Sequence, residues 1–270
     1  MVGNSKINEM KIKVSHEVPI CLLNQGYSDY EYILPHLLDK YGEYDLYMRE
    51  AWNKGRYIIL DNSLHELGKP YEESRLLHWI RELSPNEFIV PDLWEDSKGT
   101  IELAKKWMNI NLGDKTTKVA VVQARSFDEA AETYSTLKKI GYQKICFSYG
   151  ANYYNYVSSH PNKDFGKALG RLQVISELYS MGIIKEDHRI HLLGCCLPQE
   201  FGWYKDLPIE SLDTSNPIMA GIEGIKYKAG GLEGKPKVKI DEVIDKTFDR
   251  ETLDIINYNV VKFREINNLD

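Results

Sequence analysis

Short, nearly unbroken apolar runs recur along the chain, and longer stretches with apolar residues three or four apart fill the gaps between them. The runs are Val18–Asn24, Tyr57–Ser63, Glu87–Leu93, Lys118–Ala124, Lys144–Gly150, Arg189–Cys195 and Leu207–Asp213. A strand that faces water on one side alternates polar and apolar residues. Continuous runs fit parallel strands covered on both faces. The intervening segments read as helices with defined ends. Residues 72–83 follow the second run, and residues 100–110 follow the third with Asp96 or Ser97 as N-cap. Ser126 opens the next helix with Glu129 at capping-box spacing, and Gly141 closes it. A further helix over 165–182 ends at Gly182.

Seven strands alternating with helices predict an α/β fold. The two candidates are a doubly wound open sheet and a TIM (β/α)8 barrel. A dinucleotide-binding open sheet usually carries a glycine-rich first loop, and neither GxGxxG nor a Walker A sequence occurs here. The alternation favours the barrel. Closure requires an eighth strand, for which Gly224–Ala229 and Lys237–Ile240 are the candidates, so the barrel is expected to be irregular. Residues 1–270 read as one barrel domain, an ordinary length for this fold, with a C-terminal helical extension over about 240–268.

Composition narrows the function classes. With 43% hydrophobic residues the chain can bury a full core. The formal charge of −6 argues against a wholly basic nucleic-acid surface and leaves local basic patches open. Two such patches are Lys163, Lys167 and Arg171, with Arg189 near, and the lysines at 226, 228, 235, 237 and 239. The four cysteines form no CxxC pair and read as reduced thiols, with adjacent Cys195 and Cys196 buried beside His191. No apolar leader or run of 18 apolar residues is present, so a cytoplasmic protein without membrane contact is expected; the oligomeric state is left open.

The polar residues at the run ends carry the chemistry. The second run ends in Asp61, Asn62 and Ser63, and the third in Asp92. Gln123 ends the fourth, Ser148 and Tyr149 the fifth, Gly194 the sixth and Asp213 the seventh. In a closed barrel these ends meet at one mouth. Singly, each is a common turn or capping residue. Together they place three carboxylates and an amide around a shared space. One carboxylate can attack an electrophilic carbon or steady a cation while another transfers a proton. The amides can read a planar heterocycle, and Gly194 offers bare backbone against which a ring can lie.

These blocks resemble the tRNA-guanine transglycosylase superfamily, including its DNA-modifying relatives. YIILDNS, VPDLWED, VAVVQA, IHLLG and IESLDTSNP are similar to the family's strand ends, occur in the family's order and span about residues 57–217. The resemblance implies a TIM barrel in which Asp213 attacks C1′ of a nucleoside and Asp61 is the general acid/base. Asp92, Gln123 and Gly194 would bind the base, with Asn62, Ser63 and Tyr149 beside them. No cofactor is implied. The partners would be nucleic acid and, for base exchange, a free 7-deazaguanine.

The resemblance departs from the family in three places. The turn after Asp61 is NSLHELG rather than glycine-rich, which brings in His65 and Glu66. No histidine follows Cys196, so the Cys/His zinc site of the tRNA enzymes is not expected. The chain is also shorter than those enzymes, which favours DNA over tRNA. Further nucleic-acid contacts are expected from Lys163, Trp203 and Tyr204, and base stacking from the tyrosine-rich segment after Ser148. The expected activity is exchange of a guanine-type base for a 7-deazaguanine through an aspartyl–sugar intermediate. The alternatives are a DNA glycosylase that excises a modified base, a non-catalytic nucleic-acid-binding barrel, and a glycoside hydrolase using the same two acids.

Overall fold

A computed structural model describes residues 12–113 and 115–269. It contains an eight-stranded, all-parallel sheet curled nearly into a closed barrel, with helices between strands. The strands are β1 (Lys13–Ser15), β2 (Glu31–Ile33), β3 (Ile58–Leu60), β4 (Glu87–Ile89), β5 (Thr117–Val122), β6 (Lys144–Ser148), β7 (Arg189–Leu193) and β8 (Ile209–Asp213). The helices are α1 (Pro35–Lys40), α2 (Gly42–Asn53), α3 (Leu64–Leu67), α4 (Glu73–Leu83), α5 (Ser97–Met108), α6 (Phe127–Ile140), α7 (Tyr154–Val157), α8 (Lys163–Ser180), α9 (Asn216–Ile222), α10 (Ile240–Val243) and α11 (Arg250–Asn267). Asp96 and Ser126 cap α5 and α6 as the sequence predicts, and Gly141 ends α6 in the left-handed region. The C-terminal extension is α10 and α11. Among the described residues no helix is long and apolar enough to cross a membrane.

The first run and the eighth strand are corrected. Val18–Asn24 is not a strand: Ile20–Gln25 forms a 3-10 helix after Pro19. The two strands that complete the set flank it, at β1 and β2. Gly224–Ala229 and Lys237–Ile240 join no ladder beyond one isolated bridge between Lys228 and Gly231. β1 pairs with β8 and β2 with β3, but β1 and β2 share no ladder, which leaves a seam. Side chains sew it. Ser15 Oγ accepts from Tyr32 N, Ser28 Oγ from His16 N and Asp29 Oδ2 from Val14 N. Buried backbone donors that lack a ladder partner are thereby satisfied.

The barrel interior is layered. Near the N-terminal ends, Glu87 on β4 bonds Lys144 on β6 and Arg189 on β7, and Arg189 also holds Glu210. β4 and β7 are three strands apart, so Glu87 and Arg189 meet only across the interior. Two acids balance two bases in this layer. Above it the Tyr32 ring stacks on His191, again across the barrel, with centroids 5.7 Å apart. The apolar core lies chiefly between barrel and helices.

Arg171 on α8 fastens the C-terminal rim. It is wholly buried against Glu200 and donates to the carbonyls of Phe147, Leu193 and Gly194, at the ends of β6 and β7. It therefore belongs to no surface basic patch, and Arg189 lies at the opposite end of the barrel. Replacing one member of a buried ion pair leaves the other uncompensated. Arg171→Met is expected to cost about 3–5 kcal/mol in urea unfolding, and Arg171→Met with Glu200→Gln less than that. A loss below about 1 kcal/mol for the single variant would contradict this role.

Candidate active site

The C-terminal ends of the strands enclose a cavity of about 330 Å³. Its wall takes a residue from every strand or its end, among them Glu17 after β1, Tyr32 on β2, Asp61 after β3, Ser148 on β6 and Asp213 on β8. The loop over 235–239 lies along one side and contributes Lys235, Pro236 and Lys239.

Asp61 is held by two donors. Tyr32 Oη donates to Oδ1 at 2.7 Å, and the Ser63 N–H donates to Oδ2 at 2.8 Å. Ser63 sits at φ +56, an uncommon conformation for a residue with a side chain, and this turn carries its N–H back to Asp61. Burial raises the Asp61 carboxyl above its ordinary range, and both donors oppose the shift.

Asp92 is gripped by two amides. Asn62 Nδ2 donates to Oδ1 at 2.7 Å and Gln123 Nε2 to Oδ2 at 2.6 Å. The other ends of these amides are also engaged, Asn62 Oδ1 by Leu64 N and Gln123 Oε1 by Glu95 N. Burial still lifts Asp92 to about 6. Asn62 and Gln123 thus line the cavity chiefly as clamps on Asp92.

Asp213 faces the same space from β8. His191 Nε2 lies 2.8 Å from Oδ1, and His191 Nδ1 lies 2.8 Å from Ser211 Oγ. Burial lowers His191 to about 3, so the ring is neutral, with Ser211 donating to Nδ1 and Nε2–H donating to Asp213. Burial raises Asp213 to about 7, with the nearby Asp61 charge acting in the same direction. Glu17 meets Asp213 side chain to side chain and is raised well above the carboxylate range, first by burial and then by the Asp213 charge.

Of the predicted residues, Asp61, Asp92, Asp213, Asn62, Gln123, Gly194, Tyr149 and His65 all line this cavity. Four others do not. Ser63 is fully buried behind it with Oγ on His36. Lys163 lines a separate surface depression with Tyr156 and His160. Trp203 packs against the small cluster around Cys196 and Leu197, and Tyr204 is wholly buried and accepts from Arg171 Nε. The tyrosine-rich segment divides: Tyr153 and Tyr154 belong to the core, while Tyr156 is 86% exposed. The cysteines at 195 and 196 are buried thiols, but His191 is a partner of Asp213 rather than packing for them.

Gly194 also differs from expectation. It sits at φ +60, and a Cβ there would lie 2.4 Å from Tyr149 Cδ1. The bare backbone is covered by the Tyr149 ring. Tyr149 Oη accepts from Lys235 Nζ and bonds His65 Nε2 at 2.9 Å.

Residues not anticipated as part of the site are Glu17 and Asn216, while Lys235 and Lys239 of the predicted basic patch come to its wall; Asn216 is buried, with Nδ2 unpartnered at the cavity wall. Glu17 carried no readable signal, because it follows the polar pair Ser15 and His16 and stands before the run at Val18–Asn24 rather than at its end. No protein-family model matches the chain, and no curated protein matches it.

A carboxyl whose titration is raised by folding stabilises the fold while protonated. For Asp213 that contribution is complete below about 3.8 and is lost as the pH rises through about 7. Asp213→Asn is therefore expected to raise the melting temperature by several degrees at pH 8 and to change it little at pH 4. Equal shifts at both pH values, read by calorimetry, would refute the burial penalty assigned to this group.

Proposed function

We propose that the protein is an N-glycosidic bond-cleaving transferase that exchanges a guanine-type base in nucleic acid, DNA in preference to tRNA, for a free 7-deazaguanine. One observation carries this reading. Two acids on strands separated by β1 and β2, Asp61 and Asp213, face one nucleoside-sized cavity, with a clamped third acid, Asp92, on its wall.

The chemistry follows from these positions. An Asp213 oxygen bonds to C1′ as the C1′–N bond breaks. The electron pair goes to the leaving nitrogen, which takes a proton from Asp61. A carboxyl raised by burial can carry that proton near neutrality. The sugar carbon passes through an oxocarbenium-like state, which a carboxylate stabilises. An incoming 7-deazaguanine then returns a proton to Asp61, its nitrogen attacks C1′, and the ester bond breaks with its pair returning to Asp213. Asp92, fixed by Asn62 and Gln123, retains lone pairs for donors on the base edge. A base in a duplex must leave its stack to reach such a cavity.

Incubating the protein with duplex DNA or tRNA and a 7-deazaguanine, with mass spectrometry of the products, tests the reading. Incorporation into DNA is the expected result. Asp213→Asn should lower the rate by about 10³-fold or more, and Asp61→Asn by about 10²–10⁴-fold. Abasic sites formed without incorporation would assign a DNA glycosylase instead. Binding without turnover in wild type would leave a nucleic-acid-binding barrel and end the proposal.

A further inference from the structure

Glu17 has no role in the steps above, yet it stands at the proposed nucleophile. β1 runs parallel to β8 with Ser15 opposite Asp213. Side chains alternate along a strand, so a residue two positions past Ser15 returns to the same inward side, one step nearer the mouth. That residue is Glu17. It lines the main cavity and also a second cavity of about 260 Å³ that opens at the β1–β2 seam. Glu17 and Asp213 thus line one cavity from neighbouring strands, near enough for each to act on the other's titration, and two carboxyls can bond each other only if one keeps a proton. The His191 N–H already reaches Asp213 Oδ1.

We infer that Glu17 is a positioning residue for Asp213: its carboxylic acid donates a hydrogen bond to the Asp213 carboxylate, which keeps the nucleophile ionised and aimed into the cavity. This rests on the reading of Asp213 as nucleophile. The proton stays on Glu17 throughout, so no transfer is required of it. With donors from Glu17 and His191, Asp213 is fixed from two sides, while Asp61 is fixed separately by Tyr32 and Ser63.

The surroundings decide which acid keeps the proton. Asp213 on β8 and Asp61 after β3 place negative charge against Glu17, and Glu66 on α3 lies within range of the same group. Lys235 on the loop beside the mouth senses the charge of Glu17 and spends its ammonium on Tyr149. On the seam side, Arg56 is engaged by Glu31, and Lys54 lies at the edge of that cavity. His16, the preceding residue, turns its Nδ1 to the Thr214 carbonyl and is held near 4 by burial, so it is neutral. Among the described residues no cation is ion-paired with Glu17. Asp213, bonded by His191, therefore ionises first, and Glu17 remains the donor.

The consequence is a two-sided pH dependence. Activity rises as Asp213 ionises. It falls at higher pH as Asp61 loses the proton it must deliver, and falls more steeply as Glu17 loses its own and the pair becomes two repelling carboxylates. Glu17→Gln keeps a donor that cannot ionise, so the alkaline limb of kcat/KM should keep only the Asp61 ionisation and lose the steeper part. Glu17→Ala removes the donor, so the acid limb should move up by about one pH unit or more. An alkaline limb unchanged in Glu17→Gln, or an acid limb unmoved in Glu17→Ala, would overturn the assignment.

A second measurement needs neither substrate nor turnover. In protein labelled with ¹³C at the Asp and Glu carboxyls, the Glu17 resonance is the one lost in Glu17→Gln. Its titration should fall by about one pH unit or more in Asp213→Asn. If the two acids titrate as a pair but no substrate reacts, the base-exchange reading fails and the pairing stands. If substrate reacts and the two titrate independently, the reverse holds.

Discussion

Burying ionisable groups inside a barrel is the constraint on which the rest of this structure depends. A carboxylate taken from water must be paired, clamped by donors or protonated. The barrel uses all three solutions at different heights. In the lower layer Glu87 is fully buried and ion-paired with Lys144 and Arg189. At the mouth Asp92 is clamped by two amides, and Asp61 by a phenol and a backbone N–H. Glu17 and Asp213 share the third solution. The same residue type thus has a different charge state according to the partners that its strand position supplies. Acids that are costly to ionise are the ones suited to proton transfer and nucleophilic attack near neutrality.

The seam between β1 and β2 follows from the same local economy. The β1–β2 connection holds only a 3-10 helix where a regular barrel has an α-helix. Both strands are three residues long, and each forms its ladder with its other neighbour, β1 with β8 and β2 with β3. Ser15, Ser28 and Asp29 take over the backbone bonds, and a cavity remains outside the seam that reaches Glu17. Irregular backbone and a cavity-lining acid therefore occur at one place. A full ladder between β1 and β2 would close the wall that Glu17 now shares with two cavities.

Much of this architecture was legible in the chain. The runs at 57–63, 87–93, 118–124, 144–150, 189–195 and 207–213 each hold a strand, because near-continuous apolar runs are what a doubly covered parallel sheet needs. Asp61, Asp92, Gln123 and Asp213 meet at the mouth because parallel strands deliver their C-terminal ends to one side. β1 and β2 were hidden because neither Lys13–Ser15 nor Glu31–Ile33 lies in a continuous apolar run. Val18–Asn24 resembles a strand in composition, yet Pro19 begins a tight turn there and its apolar residues pack outside the barrel. Arg171 and Tyr204 look like surface residues in the sequence, and only the fold reveals that they are interior bonds of the rim. Lys235 and Lys239 were legible as members of a basic patch, but the loop over 235–239 has no periodicity to mark it as a wall of the cavity. That both amides hold Asp92 is likewise decided by partners far apart in the chain.

The position of Tyr149 sets a condition on any base that uses this cavity. Its ring lies over Gly194 at a distance that leaves no room for a Cβ, and still less for a second ring. A heterocycle laid on the Gly194 backbone and the Tyr149 ring exclude each other. The contact that the family resemblance assigns to Gly194 therefore requires Tyr149 to turn away, breaking its bonds to His65 and Lys235. Burial, with the neighbouring lysines acting in the same direction, holds His65 at about 4, so at neutral pH it is an acceptor for the Tyr149 hydroxyl rather than a competing cation. Turning Tyr149 would free the Lys235 ammonium at the rim of a cavity otherwise rich in acids. The movement that uncovers the ledge would thus leave a cation free at the rim of the cavity.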